Sequence, residues 1–423
     1  MQKTPFLVFT TAALALSLAA SPTRAAFLLQ PHDTLAICGD SITQQIQYSA
    51  YIEDYLLMSQ PVEGLRVAQF GWNGETAGGY HAKLQADLFP FKPTVVTTCF
   101  GMNDGAYRAI DDNSRNFYHD NLSGIAIDLK KGGVRTVVLG SPGCVDSTIF
   151  GNTNTPAAVY NETLDTFRGI AQAVAEKEEV NFADVHTPMV DVMTKAKAAY
   201  GSSYPFIIGG GVHPEANGHI VMAYAFLKAL GCDGAIGTLA VDLGANQATG
   251  TPGQKILSCQ NGSVEIESTR YPFCFQGDPD KPDQTDACVL KFFPFNDDLN
   301  RYVLVVKGLK GAKAKVTWGA TSKEFAAADL EKGINLAAEF LSNPFCDQFN
   351  KVHAAVRAQQ INETALVQQC LYNAQALKDL APSEAASVDK IAAAGLQHDK
   401  DLLDAAAALV IPIHHTIKIE AEL

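Results

Sequence analysis

Thr34-Leu35-Ala36-Ile37-Cys38-Gly39-Asp40-Ser41 is a short apolar run closed by glycine and aspartate and ending on a serine. An unbroken run of this length between turn residues suits a parallel strand covered on both faces. Beyond it, Ile42, Ile46, Ile52 and Leu56 fall at helical spacing, with Gln44, Gln45 and Asp54 free to face water, so a helix is predicted over Ile42 to Met58. Ser41 therefore stands at a strand-to-helix junction. Free backbone N–H groups and the helix dipole favour developing negative charge at such a place.

The same alternation continues outward. Apolar runs recur at Leu65 to Phe70, Thr94 to Phe100, Val134 to Leu139 and Val180 to Val185, separated by helical segments such as Tyr160 to Lys177. Buried strands alternating with helices predict an α/β fold whose parallel sheet carries helices on both faces. The pattern runs to about Gly231 and defines a domain over residues 26–236.

Three further segments carry chemistry at the expected carboxyl edge of that sheet, where open α/β sheets bind ligands. After the second strand, the turn Gly71-Trp72-Asn73-Gly74-Glu75-Thr76 can offer the Gly74 N–H. After the third, Gly101-Met102-Asn103-Asp104 brings out a carboxamide, which donates to an oxyanion without changing charge. Asp104 is read as a helix cap, a structural role. Val212-His213-Pro214 lies just before the last helix, so His213 can reach over the sheet edge and take a proton from Ser41. His219, inside that helix, is read as a packing or hydrogen-bonding residue. Nucleophile, oxyanion donors and imidazole base together make the minimum kit for acyl transfer.

From Gly237 the character changes. Leu239 to Leu243, Val264 to Glu267, Val289 to Phe293, Tyr302 to Val306 and Lys315 to Trp318 read as strands among Gly-, Pro- and Asp-rich turns, a small antiparallel β-rich domain over 237–340. The acids of the loop 276–283 lack the spacing of a calcium loop and read as a solvated turn. Residues 341–423 read as a helical segment, strongest over Asn343 to Ala408 and broken at Ala381-Pro382, that packs back across the rest.

Composition bounds the partners. The 423 residues are 47% apolar and 18% charged, with mean hydropathy near zero, which describes a globular chain with a large core. Lys3, the apolar stretch Pro5 to Ala20 and Ser21-Pro22-Thr23-Arg24-Ala25 read as an export signal over residues 1–25, cleaved after Ala25 or Ser21. Its loss takes the formal charge from −13 to −15, because it holds Lys3 and Arg24 and no acid. So acidic a chain without a Lys/Arg stripe argues against nucleic acid or an anionic membrane as partner. A secreted or periplasmic location and no stable membrane insertion after cleavage are expected. Nine cysteines in an exported chain suggest some disulfides, among Cys259, Cys274, Cys288, Cys346 and Cys370, with Cys38 and Cys99 as packed thiols. No tight Cys/His spacing marks a metal, and no glycine-rich dinucleotide or phosphate loop is present, so no cofactor is expected.

Taken in order, Gly39-Asp40-Ser41, Gly74, Gly101-Met102-Asn103-Asp104 and Val212-His213-Pro214 resemble the SGNH (GDSL-type) hydrolases over residues 33 to 231. The resemblance implies a flavodoxin-like fold, Ser41 as nucleophile, His213 as base, and an oxyanion hole from the N–H groups of Ser41 and Gly74 and the Asn103 side chain. Leu299-Asn300-Arg301-Tyr302 through Gly333-Ile334-Asn335-Leu336-Ala337 resembles the accessory domain of two-part exported bacterial members. One position departs: the family carries an acid three residues before the histidine, and here it is Gly210. Losing that carboxylate from a working triad can cost about 10⁴ in rate. A backbone carbonyl of the glycine-rich loop could orient the ring, giving a Ser-His dyad. Asp184, Asp191 or Glu215 could reach it instead, or hydrolysis could be lost; the dyad is the favoured reading. The expected activity is hydrolysis of small acyl esters, above all acetyl groups on carbohydrate. The alternatives are lysophospholipase or lipase-like action and a non-catalytic carbohydrate-binding protein.

Overall fold

The computed structural model describes residues 26–152 and 154–422; the segment read as an export signal lies outside them. Strands β1 (Thr34–Gly39), β2 (Arg66–Gly71), β3 (Val95–Cys99), β4 (Thr136–Gly140) and β5 (Asn181–Ala183) form a parallel sheet in the order β2-β1-β3-β4-β5. Each apolar run of the sequence has become one strand, and β1, β3 and β4 are buried almost throughout, as a sheet covered on both faces requires. This is the flavodoxin-like order. Its direction of winding reverses between β1 and β3, the kind of position at which open α/β sheets bind ligands beyond the strand ends.

The helix expected over Ile42 to Met58 is interrupted. Helix α1 (Ser41–Gln44) stops after four residues, Ile46 adopts a left-handed φ of 53°, and α2 (Tyr48–Asp54) starts anew and continues as a π-helical turn over Tyr55–Ser59. Asp54 does not face water either; it is fully buried and paired with His353 at 2.6 Å. The covering element is the long helix Cys346–Ala365, far away in sequence. Local periodicity could not anticipate it. The further helices of five residues or more in the first region are α3 (Ala77–His81), α4 (Asp112–Lys131), α5 (Ala157–Lys177), α6 (His186–Tyr200) and α7 (Ala216–Ala229). Between α6 and α7 a two-stranded hairpin, β6 (Ile207–Gly209) with β7 (His213–Pro214), carries the loop histidine.

The β-rich region holds β8 (Ala235–Asp242), β9 (Gln247–Gly250), β10 (Gln254–Gln260), β11 (Ser263–Ser268), β12 (Arg301–Lys307), β13 (Lys313–Trp318), β14 (Thr321–Ala326) and β15 (Ile334–Asn335). One sheet has the order β15-β12-β8-β9, and its β8 and β12 run parallel rather than antiparallel. Of Val289 to Phe293, read as a strand, all but the extended Phe293 lie in a 3₁₀ helix over Ala287–Phe292. The C-terminal segment supplies helices α8 (Cys346–Ala365), α9 (Tyr372–Leu380) and α10 (Ala385–Ala408), as its composition predicts. Its last residues, expected to be helical, are instead the strand β16 (Ile413–Glu422), inserted between β11 and β13 in the fully antiparallel sheet β10-β11-β16-β13-β14. Alternation over His415, Ile417 and Ile419 turns these side chains into the core beside Trp318, which is the period-2 signature of a strand. Among the described residues no disulfide is present and the nine cysteines stand as free thiols, unlike the bridges expected from an exported chain; Cys38 and Cys99 are buried in the parallel sheet as expected. Among the described residues no helix is long and apolar enough to cross a membrane.

Candidate active site

Ser41 opens α1 immediately beyond the end of β1. The Asp40 carboxylate accepts the Ile42 N–H at 2.9 Å, capping the helix and closing the turn that presents the serine. Burial pushes the Asp40 carboxyl up to about 7, with Asp104 and Glu75 adding repulsion against the stabilising Ile42 N–H. The Ser41 N–H, first of the helix, has no acceptor among the described residues.

Ser41 Oγ lies 2.8 Å from His213 Nε2. The other ring nitrogen, Nδ1, stands 3.3 Å from the carbonyl oxygen of Gly209. A carbonyl can only accept, so the ring's proton sits on Nδ1 and Nε2 is left to accept the serine O–H, the tautomer a general base needs. None of the three acids weighed from the sequence touches the ring: Asp184 binds Thr187 and Asp191 binds Lys195, while Glu215 stands at the start of α7. Gly210, at the position of the missing acid, has φ +66°, and Gly209 packs so close that a Cβ there would come within 2.8 Å of the His213 Cβ.

What holds this hairpin is a carboxylate the sequence reading did not single out. Asp146 is fully buried, ion-paired with Lys197 at 3.0 Å, and accepts the N–H groups of Phe206 and Ile207 at the start of β6. Hydrogen bonds from Thr148 and Lys197 hold its carboxyl below the ordinary range despite burial. No motif marks it, because the hairpin backbone groups it binds and its partner Lys197 are far away in sequence.

The loops after β2 and β3 close around the serine turn. Trp72 N–H donates to Gly39 O at 3.1 Å and Asn73 N–H to Gln44 Oε1 at 2.7 Å, so the Gly74 turn is tied to α1. Gly74 has φ +73°, a conformation that favours glycine, and its N–H has no acceptor among the described residues. Asn103 Nδ2 donates to Glu75 O at 2.9 Å. Asp104 accepts the Ala77 N–H at 2.9 Å and so holds the start of the earlier helix α3, while the helix that follows it, α4, is capped by Asp111 instead.

Behind the serine, Gln45 joins several elements: its Nε2 donates to Pro214 O at 3.0 Å and its Oε1 faces His219 Nε2 at 3.2 Å. Burial drives the His219 imidazole down to about 3, so it is neutral; Nδ1 accepts the Tyr48 N–H and Nε2 carries the proton toward Gln45. From the C-terminal segment, Arg357 donates to Ile46 O, Gln368 to Gly71 O at 3.1 Å, and Tyr372 packs on Trp72 with ring centroids 5.0 Å apart. The helices expected to pack back across the molecule thus brace both turns that flank Ser41.

A strand-end serine, a histidine in contact with it and donors without an acceptor among the described residues are the groups that acyl transfer requires. Residues 37–221 match the GDSL-like lipase/acylhydrolase family, and this match together with the esterase relative below makes the chain an ester-hydrolysing enzyme. Over 191 residues it is 26% identical to an acetylxylan esterase of Geobacillus stearothermophilus, covering 44% of this chain and 80% of that protein. The solved structure of a gut microbial diltiazem-metabolizing enzyme is 23% identical and superposes with a TM-score of 0.75 over 94% of this chain and 100% of that one. The second likeness concerns the fold, and it extends through the β-rich and helical regions.

Proposed function

We propose that this is an exported serine esterase that removes small acyl groups, above all acetyl, from carbohydrate. Ser41 is the nucleophile, His213 the general base and then acid, and the N–H groups of Ser41 and Gly74 with the Asn103 carboxamide form the oxyanion hole. The observation that carries the reading is the 2.8 Å contact between Ser41 Oγ and His213 Nε2, with Nδ1 turned to the Gly209 carbonyl. In the first step Ser41 loses its proton to Nε2 and attacks the ester carbonyl. The tetrahedral oxyanion is met by preorganised donors, and the imidazolium returns the proton to the departing sugar hydroxyl. Water then repeats the sequence on the acyl-enzyme. Gly209 O keeps the ring in the right tautomer but brings no negative charge to the imidazolium, so the centre is a Ser-His dyad rather than a triad.

The acetyl-carbohydrate assignment draws support from the acetylxylan esterase relative and from the acidic, export-signalled chain. In the same reading residues 1–25 are the signal, 26–236 the hydrolase domain, 237–340 the β-rich accessory domain and 341–423 the C-terminal segment. The test is hydrolysis of p-nitrophenyl acetate, acetylated xylo-oligosaccharides and long-chain esters by wild type and Ser41→Ala. Ser41-dependent turnover of the acetyl substrates in preference to long chains is expected. Equal activity in Ser41→Ala would contradict the mechanism, and a preference for long acyl chains would replace the carbohydrate substrate with a lipid.

A further inference from the structure

The Asn103 carboxamide is clamped at both ends. Glu75 O can only accept, so the end 2.9 Å from it is the NH₂ group. The opposite end, Oδ1, lies 3.1 Å from the Tyr107 hydroxyl, which must therefore donate. One Asn103 N–H is spent on Glu75 O; the second has no acceptor among the described residues.

Tyr107 reaches this position by an unusual backbone. Ala106 and Tyr107 both adopt left-handed conformations, with φ of 46° and 55°, although neither is glycine. Such pairs persist only where surrounding contacts dictate them, and they gather at functional sites. Here Asn152 Nδ2 donates to Tyr107 O at 2.8 Å, and the Tyr107 ring packs against Tyr160 and Phe150 at centroid distances of 5.2 and 6.2 Å. Tyr160 in turn donates to Met102 O, next to Asn103. The ring is thus held by packing, and its hydroxyl has the carboxamide oxygen as its partner.

We infer that Tyr107 is a positioning residue for the esterase reaction: its hydroxyl fixes the rotation of the Asn103 carboxamide and polarises it, so that the unspent N–H faces the developing oxyanion. The inference rests on the esterase reading of the site. Tyr107 touches no reacting atom and acts only through Asn103. Removing the hydroxyl leaves the packed ring and frees the amide to rotate.

The experiment is a double-mutant cycle on p-nitrophenyl acetate with Tyr107→Phe, Asn103→Ala and both together, alongside Ser41→Ala and thermal melts. Tyr107→Phe is expected to fold like wild type and to lose about tenfold in kcat with KM little changed, since a misaimed donor is felt in the transition state. In the Asn103→Ala background the same change is expected to cost nothing more. Wild-type kcat in Tyr107→Phe, an equal loss in both backgrounds, or loss of the fold would each overturn the inference. Activity that survives Ser41→Ala would overturn the esterase reading itself, a separate outcome.

Discussion

The serine side of the site and the histidine side are built differently. Ser41, Gly74 and Asn103 leave the ends of three adjacent strands of one parallel sheet, and their turns are laced to each other by hydrogen bonds from Trp72, Asn73 and Asn103. His213 sits on a two-stranded hairpin rich in glycine, outside that sheet, oriented by a single carbonyl. The serine side is placed by regular structure and needs only short motifs. The histidine side leans on a buried ion pair, Asp146 with Lys197, which holds the hairpin's backbone rather than the ring, and on Gln45, which donates to Pro214 O. A carboxylate is still present behind the histidine; it acts on the loop.

The largest effects should come from breaking the contact that joins the two sides. Ser41→Ala or His213→Ala should each lower kcat for p-nitrophenyl acetate by at least about 10⁴-fold, and the double variant should be little worse than either, because the two act as a unit. Additive losses would mean that the two sides work independently. Asn103→Ala tests the serine side alone and should cost about 10² to 10³ in kcat, the loss typical of one oxyanion donor, with KM nearly unchanged.

These two tests concern residues that were legible in the sequence, and the reason is physical. Strands of a parallel sheet are written as local apolar runs, and the turns of Ser41, Gly74 and Asn103 follow directly from three of them, while His213 could be named from its place just before the last helix of the domain. What escaped is what depends on distant chain. Asp54 looked solvent-facing because nothing near it in sequence shows that α8 will cover it. Ile413–Glu422 looked like the tail of a helical segment, although it completes the antiparallel sheet between strands far upstream. The helix after Ser41 has apolar spacing that is equally consistent with the break at Ile46, whose left-handed turn is braced by Arg357 of α8. Asp146 bonds to main chain and to a lysine far away in sequence, which leaves no local pattern to read.

Two smaller effects sharpen the contrast in stability. Asp146→Ala strips the partner from a Lys197 whose side chain is only 10% exposed and should destabilise the fold by about 3–5 kcal/mol in urea denaturation, the usual result of breaking a buried pair. An unchanged midpoint would show that the histidine hairpin stands without it. On the serine side, Asp40 holds its proton up to about 7 in the folded chain, while an unfolded aspartate releases it near 3.9. The folded state therefore binds more protons across that window, and stability present below pH 4 is lost as pH rises through about 7. Asp286, pushed by burial to about 7, adds to the same trend. The melting midpoint should be lower at pH 8 than at pH 5 by about a few degrees, and Asp40→Asn should shrink the difference. A midpoint that rises over this range would contradict it.

At the His213 ring the group facing Nδ1 is a carbonyl, with no carboxylate in contact among the described residues. The most direct check is kcat/KM of Asp184→Asn, Asp191→Asn and Glu215→Gln on an acetyl ester. Each should stay within about threefold of wild type, whereas a loss approaching the roughly 10⁴-fold expected for a triad acid in any one of them would show that a displaced triad does the work.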